Sequence, residues 1–383
     1  MNQPVSNGFT EQPVPSWHRA VLKVGSSLLA APGGGLTPRF ALGLAQFVSS
    51  QLQAGREVVI VSSGAVAAGR AILPKAETAG AAMAARQALA ALGQAQLIGL
   101  WQRFFERPVA QVLLTHDDLR NRRRFLNARA TLLELLRLGA LPIINENDTV
   151  SVDELKLGDN DNLAAHVAAL VDAEVLFIAS DVAGLYSADP RHDPQAQPIN
   201  ALERVDDSVL AMAGDRGSQI GTGGMATKLQ AATKAASAGI ETFLFDGSDG
   251  ENLRRLAQDR IRGTRIYAAS TRLAARKHWL RHAPTATGAI VVDAGAAQAL
   301  TRQGASLLPG GIVTVEGDFA RGDIVEIQCQ AETGPQPVAH GISQYSARDI
   351  RRIAHHHSRE IEAVLGYNYG RNVVHRDDLA TLD

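Results

Sequence analysis

Short apolar runs alternate with longer amphipathic stretches from residue 19 to about residue 267. Ala20-Val21-Leu22-Lys23-Val24, Val58-Val59-Ile60-Val61, Ala110 to Leu114, Leu141 to Ile144, Val175 to Ala179 and Glu241 to Phe245 each read as a strand. Between them, Thr37 to Ala54, Ala79 to Phe105, Phe125 to Leu138, Leu163 to Val171 and Met225 to Ala238 read as helices. Thr37 is placed to cap the first of these, with Pro38 in its first turn, and Gly55, Gly139 and Gly239 are placed as stops. Continuously apolar strands alternating with helices predict a largely parallel sheet with helices on both faces, a three-layer αβα member of the α/β class. Such sheets bind ligands beyond the carboxyl ends of their strands. The residues that follow each apolar run are therefore where chemistry is expected.

The pattern changes after Ala268. Arg272 to Arg281 is an arginine-rich connector, and Pro284-Thr285-Ala286-Thr287-Gly288 reads as a linker. Short β-like runs follow at Ala289 to Val292, Gly311 to Val315 and Asp323 to Ile327, punctuated by glycine turns, and predict a small C-terminal β-barrel. The boundaries expected are a disordered tail over 1–17, the α/β domain over 18–268, a linker over 269–287, the β-rich domain over 288–370 and a tail over 371–383.

Composition narrows the classes. The chain has 383 residues, 45% hydrophobic and 20% charged, with a net charge of -1. That balance gives no global attraction to nucleic acid or to a membrane. No apolar run approaches the roughly 20 residues of a membrane span. The N-terminus lacks the pattern of a signal peptide, and the single cysteine, Cys329, fits a reducing compartment. A cytoplasmic protein is expected. Of 38 basic residues only six are lysine, and Lys23, Lys156 and Lys228 each adjoin a glycine-rich segment, where a compact point charge has a use.

Polar, glycine-containing runs stand at the predicted strand ends. Gly221-Thr222-Gly223-Gly224-Met225-Ala226-Thr227-Lys228 runs into a helix, so free N–H groups and the positive helix end suit phosphate. It is not a Walker A loop, because the chain contains no Gly-Lys dipeptide. Lys23-Val24-Gly25-Ser26-Ser27 can bring backbone and charge to a ligand. Ser62-Ser63-Gly64-Ala65-Val66, taken alone, is best explained as a helix cap. Asn145-Glu146-Asn147-Asp148 and Gly158-Asp159-Asn160-Asp161-Asn162 place eight amides and carboxylates in two short runs, too many for capping. They can hold an amino group, orient lysines or bind Mg2+ through water. Ser180-Asp181 followed by Gly184-Leu185-Tyr186 is either a loop around a purine or a turn-rich connection. His355-His356-His357 makes a poor metal site, because adjacent side chains diverge.

In this order, these runs resemble the glutamate 5-kinases (gamma-glutamyl kinases) of the amino acid kinase family. Arg124-Phe125-Leu126-Asn127-Ala128 and Gly184-Leu185-Tyr186-Ser187-Ala188-Asp189-Pro190 add to the likeness. Arg321-Gly322-Asp323 and His375-Arg376-Asp377-Asp378 resemble parts of that family's C-terminal PUA domain. Two departures stand out: Ser180 replaces the usual threonine, and Phe245-Asp246-Gly247-Ser248 is more polar than the usual strand end. The resemblance implies an amino acid kinase fold with a PUA-like barrel. It implies transfer of a phosphoryl group from ATP, with Mg2+, to the side-chain carboxylate of L-glutamate, the first step of proline biosynthesis.

By the same resemblance, Lys23 and Lys228 contact the transferring phosphoryl and Asp161 orients both lysines. Ser63, Asp148 and Asn160 bind glutamate. Lys23, Ser180, Asp181, Thr222, Gly223, Gly224, Met225, Ala226, Thr227 and Lys228 line the nucleotide site, and no direct metal ligand is assigned. Feedback inhibition by proline and a homo-oligomer, dimer or tetramer, are further implications. The alternatives are a sister kinase acting on N-acetylglutamate, aspartate or carbamate, and an RNA-binding or RNA-modifying protein. Residues 288–370 contain no lysine, which gives the RNA reading little electrostatic support.

Overall fold

The computed structural model describes residues 8–73, 83–151, 160–213, 224–269, 286–330 and 334–382. They fall into two compact units. In the larger unit the strands are β1 (Glu11–Pro13), β2 (Arg19–Val24), β3 (Glu57–Ser62), β4 (Val109–Leu114), β5 (Leu141–Glu146), β6 (Val175–Ser180), β7 (Ala201–Leu202), β8 (Glu241–Asp246), β9 (Arg260–Arg262) and β10 (Thr264–Ile266). The helices that matter below are α1 (Ala41–Gln53), α2 (Ala65–Ile72), α3 (Met83–Gln102), α4 (His116–Arg120), α5 (Arg122–Arg137), α6 (Asn160–Leu170), α7 (Asp207–Met212), α8 (Met225–Ser237) and α9 (Gly250–Leu256).

Eight strands form one sheet in the order β4-β5-β3-β2-β6-β8-β10-β7, parallel except where β10 meets β8. The parallel sheet expected from the apolar runs is therefore present. One face packs Ala20, Leu22, Val24, Ile60, Phe177 and Phe243 against α1, α3 and α9 in a continuous apolar core. Side chains alternate along a strand, so Lys23 points to the opposite face, where α6 crosses β2 and packs against α8.

Helix α2 and helix α3 cross at backbone distance. A Cβ on Gly69 would lie 1.9 Å from the Leu89 carbonyl oxygen, and one on Gly93 would lie 1.8 Å from that of Ala65. Only glycine fits at either position.

Several boundaries differ from the sequence expectation. Residues 8–17 are no loose tail: β1 pairs antiparallel with β9, and Phe9, Val14 and Trp17 are buried. Three apolar anchors inside a polar, proline-rich stretch suffice once an edge strand is there to receive them. The first helix starts at Ala41, because the Thr37 hydroxyl instead accepts the Arg39 N–H within a turn, at 3.2 Å. Helix α6 starts at Asn160, so Asn160-Asp161-Asn162 is its first turn and not a run before it. Ala79 to Ala82, the Arg272 to Arg281 connector and Pro284-Thr285 lie outside the described residues. Among the described residues no helix is long and apolar enough to cross a membrane.

The smaller unit has its own five-stranded sheet, ordered β12-β11-β13-β14-β15. These strands are β11 (Gly288–Val292), β12 (Ile312–Gly317), β13 (Ile324–Cys329), β14 (Gln336–Ile342) and β15 (Leu379–Thr381). Strands β11 and β13 run parallel and the other neighbours antiparallel. Its core takes in Ile290, Val325, Tyr345, Ile350, Val373 and Val374. The stretch after 370, expected to be a tail, thus contributes the edge strand β15 and two buried valines.

Candidate active site

Strands β2, β3, β5 and β6 are neighbours and parallel, so their carboxyl ends share one edge of the sheet. Lys23 is the penultimate residue of β2 and only 3% exposed. Its Nζ lies 2.5 Å from Asp161 Oδ1. Lys228, in the first turn of α8 and 5% exposed, places its Nζ 3.1 Å from Asp161 Oδ2. The Thr227 hydroxyl donates to the same Oδ2 at 3.2 Å. One carboxylate, fully buried in the first turn of α6, therefore holds two lysines that lie 205 positions apart in the chain. Burial pushes the Asp161 carboxyl up, but the charges of Lys23 and Lys228 together outweigh it and hold it below the usual carboxylate range. The carboxylate therefore stays ionised.

Gly25 lies two residues beyond Lys23, and its N–H donates to the Ala179 carbonyl at 3.1 Å. A Cβ there would sit 3.8 Å from Lys23 Nζ, so glycine leaves the space beside the ammonium open.

A second cluster lies at the ends of β3 and β5. The Asn160 amide donates to Ser63 Oγ at 2.7 Å and to Asn145 Oδ1 at 3.0 Å. The Asn145 amide donates in turn to Gln94 Oε1 at 2.9 Å. Asn160 Oδ1 is buried and has no partner among the described residues, an acceptor of the kind an ammonium group would fill. Asn160 and Asp161 are adjacent, so the two clusters share the first turn of α6. Asp148 stands in the turn after β5. The two serines of the β3 end divide their work: Ser62 is buried and accepts the Trp101 indole N–H at 2.8 Å, whereas Ser63 faces Asn160. Neither caps α2, whose N-cap is Gly64 at φ 114° with no side-chain bond.

A third group surrounds the end of β6. Ser180 Oγ accepts the Val182 N–H at 3.2 Å, and the Ser27 hydroxyl donates to Asp181 Oδ1 at 3.0 Å. Opposite Ser180 in register, Asp246 folds back to accept the Ser248 N–H and hydroxyl, at 2.8 and 2.6 Å. Gly224 caps α8 with extended backbone, and Met225, Ala226 and Thr227 form its first turn. Gly221, Thr222, Gly223, Gly158 and Asp159 lie outside the described residues. Gln94 and Trp101 were not singled out by sequence reasoning; a glutamine in phase with the buried Leu89, Ala90, Leu97 and Trp101 of α3 was the available signal.

The described residues do not form a cage for Mg2+: no cluster of three or more His, Cys, Asp or Glu is present among them, and both Asp161 oxygens face lysines. Beyond this edge, α6 also carries His166, whose ring lies 6.4 Å from that of His116. Burial pushes the His166 imidazole down to about 4, and the nearby charges of Lys234 and His116 add to the effect.

The model of the amino acid kinase family matches residues 18–246, and that of the PUA domain matches residues 288–365. The chain is 75% identical over 362 residues to a protein of Xanthomonas oryzae pv. oryzae called glutamate 5-kinase, covering 94% of this chain and all of that one. It is 66% identical over 380 residues to a protein of the same name from Xylella fastidiosa, covering 99% of each. Among solved structures it is similar to a UMP kinase from Bacillus anthracis, at TM-score 0.47 and 17% identity, over 67% of this chain and 98% of that one. The family models and the relatives of 66–75% identity agree with the parallel sheet and the separate C-terminal sheet: the chain belongs to the amino acid kinase family and carries a C-terminal PUA domain.

Proposed function

We propose that this protein transfers the γ-phosphoryl group of ATP to the side-chain carboxylate of L-glutamate, giving L-glutamyl 5-phosphate and ADP. The observation that carries the reading is the pair of buried lysines held by Asp161. A glutamate side chain has an ordinary pKa near ~4.3 and is ionised at neutral pH, so the nucleophile needs no general base. The obstacle is bringing an anion to a polyanion, and fixed cations relieve it. A carboxylate oxygen forms the new bond to phosphorus, the bond to the bridging β–γ oxygen breaks, and the leaving charge departs on ADP. Lys23 and Lys228 approach from opposite ends of the large domain's sequence and bracket this path. Asp161 holds both ammonium groups and limits their mutual repulsion.

Ser63, Asn160 and Asp148 bind glutamate in this reading, with the unpartnered Asn160 oxygen available to the α-amino group. Lys23, Ser180, Asp181 and the run from Thr222 through Gly223, Gly224, Met225, Ala226 and Thr227 to Lys228 hold the nucleotide. Mg2+ bound to the nucleotide phosphates would add positive charge against the transferring group. The relatives named glutamate 5-kinase, at 66–75% identity over nearly the whole chain, support the choice of acceptor. With that choice come a place in proline biosynthesis, inhibition by proline, a homo-oligomer and a cytoplasmic location. The test is ADP release with L-glutamate as sole acceptor, with hydroxylamine trapping the acyl phosphate as a hydroxamate. Turnover with N-acetylglutamate, aspartate or carbamate but not with glutamate would reject the acceptor.

A further inference from the structure

The segment ahead of β2 takes no part in the chemistry above, yet it is tightly bound. The Thr10 N–H and hydroxyl both donate to Asn200 Oδ1, at 2.8 and 3.0 Å. The Gln12 side-chain amide donates to the carbonyls of Asn200 and Gly263, at 3.1 and 2.9 Å. Glu11 pairs with Arg255 and Arg260, at 3.1 and 2.8 Å. This strap grips an arm of chain that leaves the sheet at Ser180-Asp181 and returns at Asn200. Within the arm, Tyr186 bridges to Pro198, and the Leu185 N–H donates to Thr264 Oγ1 at 2.8 Å.

Phe9 sits at the contact point. It is 4% exposed and meets Tyr186 edge to face, with ring centroids 5.2 Å apart. At Gly184, with φ +157°, a Cβ would lie 2.7 Å from Phe9 Cζ. The ring therefore occupies the space that any side chain at 184 would need. Burial first, and then the charge of Asp246, holds the Tyr186 phenol proton more tightly.

We propose that Phe9 is a positioning residue for the nucleotide: wedged against Gly184 and Tyr186, it sets the course of the arm that begins at Asp181. The proposal rests on the reading that Ser180 and Asp181 line the nucleotide site. A strap that only stabilised the fold would lower the melting temperature and leave the two Michaelis constants in proportion.

The experiment is steady-state kinetics on the full chain, with KM for ATP and for glutamate, kcat and the thermal midpoint measured for Phe9→Ala, Phe9→Leu and Asp181→Ala. Phe9→Ala and Asp181→Ala are each expected to raise the ATP KM about tenfold, with the glutamate KM within about twofold. Phe9→Leu keeps apolar volume but loses the flat ring edge, and is expected to raise the ATP KM about threefold. If Phe9→Ala fails to fold, Phe9→Leu decides. An unchanged ATP KM in a cooperatively melting Phe9 variant, or equal shifts in both constants, overturns the proposal and leaves the nucleotide reading standing. An unchanged ATP KM in Asp181→Ala removes both.

Discussion

Asp161 opposes two buried ammonium groups with one carboxylate, and its neighbours decide what each substitution costs. Its acidity in the folded protein is raised, so its contribution to stability is complete above the ordinary carboxylate pKa and is lost as pH falls through the lower folded value. Replacing Asp161 with Asn leaves Lys23 and Lys228 buried without a counter-charge. Uncompensated buried charges cost about 3–5 kcal/mol, and urea denaturation of Asp161→Asn should show a loss of that size. Lys228→Ala should behave differently, because Lys23 still neutralises Asp161. The protein should remain folded while kcat drops about a hundredfold or more, the loss of roughly 3 kcal/mol of contact in the transition state. Near-normal kcat in Lys228→Ala would exclude that lysine from phosphoryl transfer. The pairing could not be read from residue types alone, since Asp161 lies 138 residues from Lys23 and 67 from Lys228. The resemblance brought them together; the runs themselves left the acids free to cap, bind metal or hold an amine.

At the scale of the element, β2, β3, β5, β6 and β8 were legible because they are mostly apolar and buried on both faces, and the edge strand β4 because its run stays apolar apart from the exposed Gln111. Helix α6 was legible as a helix but not at its start. Its first turn is polar and buried, so the apolar periodicity begins three residues late, at Leu163. Strand β1 was hidden because three residues become a strand only when β9 offers an edge. The far side of α6 has a pH consequence of its own. His166 titrates about 4 in the folded protein against 6.5 when unperturbed, so between those values the unfolded chain binds the extra proton. Stability should therefore rise with pH across that window, by about 2 kcal/mol between pH 5 and pH 7 from this residue. Thermal melts of His166→Gln should show a correspondingly flatter pH dependence over that range, and an unchanged slope would show that His166 is not the group responsible.

For the whole molecule, each unit has a sheet and an apolar core of its own. Lys23, Ser63, Asp148, Asn160, Asp161, Ser180, Asp181 and Lys228 all belong to the larger one. A chain ending at residue 269 is therefore expected to melt cooperatively and to keep glutamate-dependent ADP release near the full-length rate. Loss of turnover in a folded truncation would assign the PUA domain a part in catalysis. Within the larger unit, the crossing at Gly69 and Gly93 has a mechanical meaning. Two helices in backbone contact have no layer of side chains between them to yield, so α2 and α3 move as one stiff plate. Ser63 precedes one helix and Gln94 rides on the other, so a push on either is felt by both. A ligand-induced shift of Ser63 is therefore expected to carry Gln94 with it.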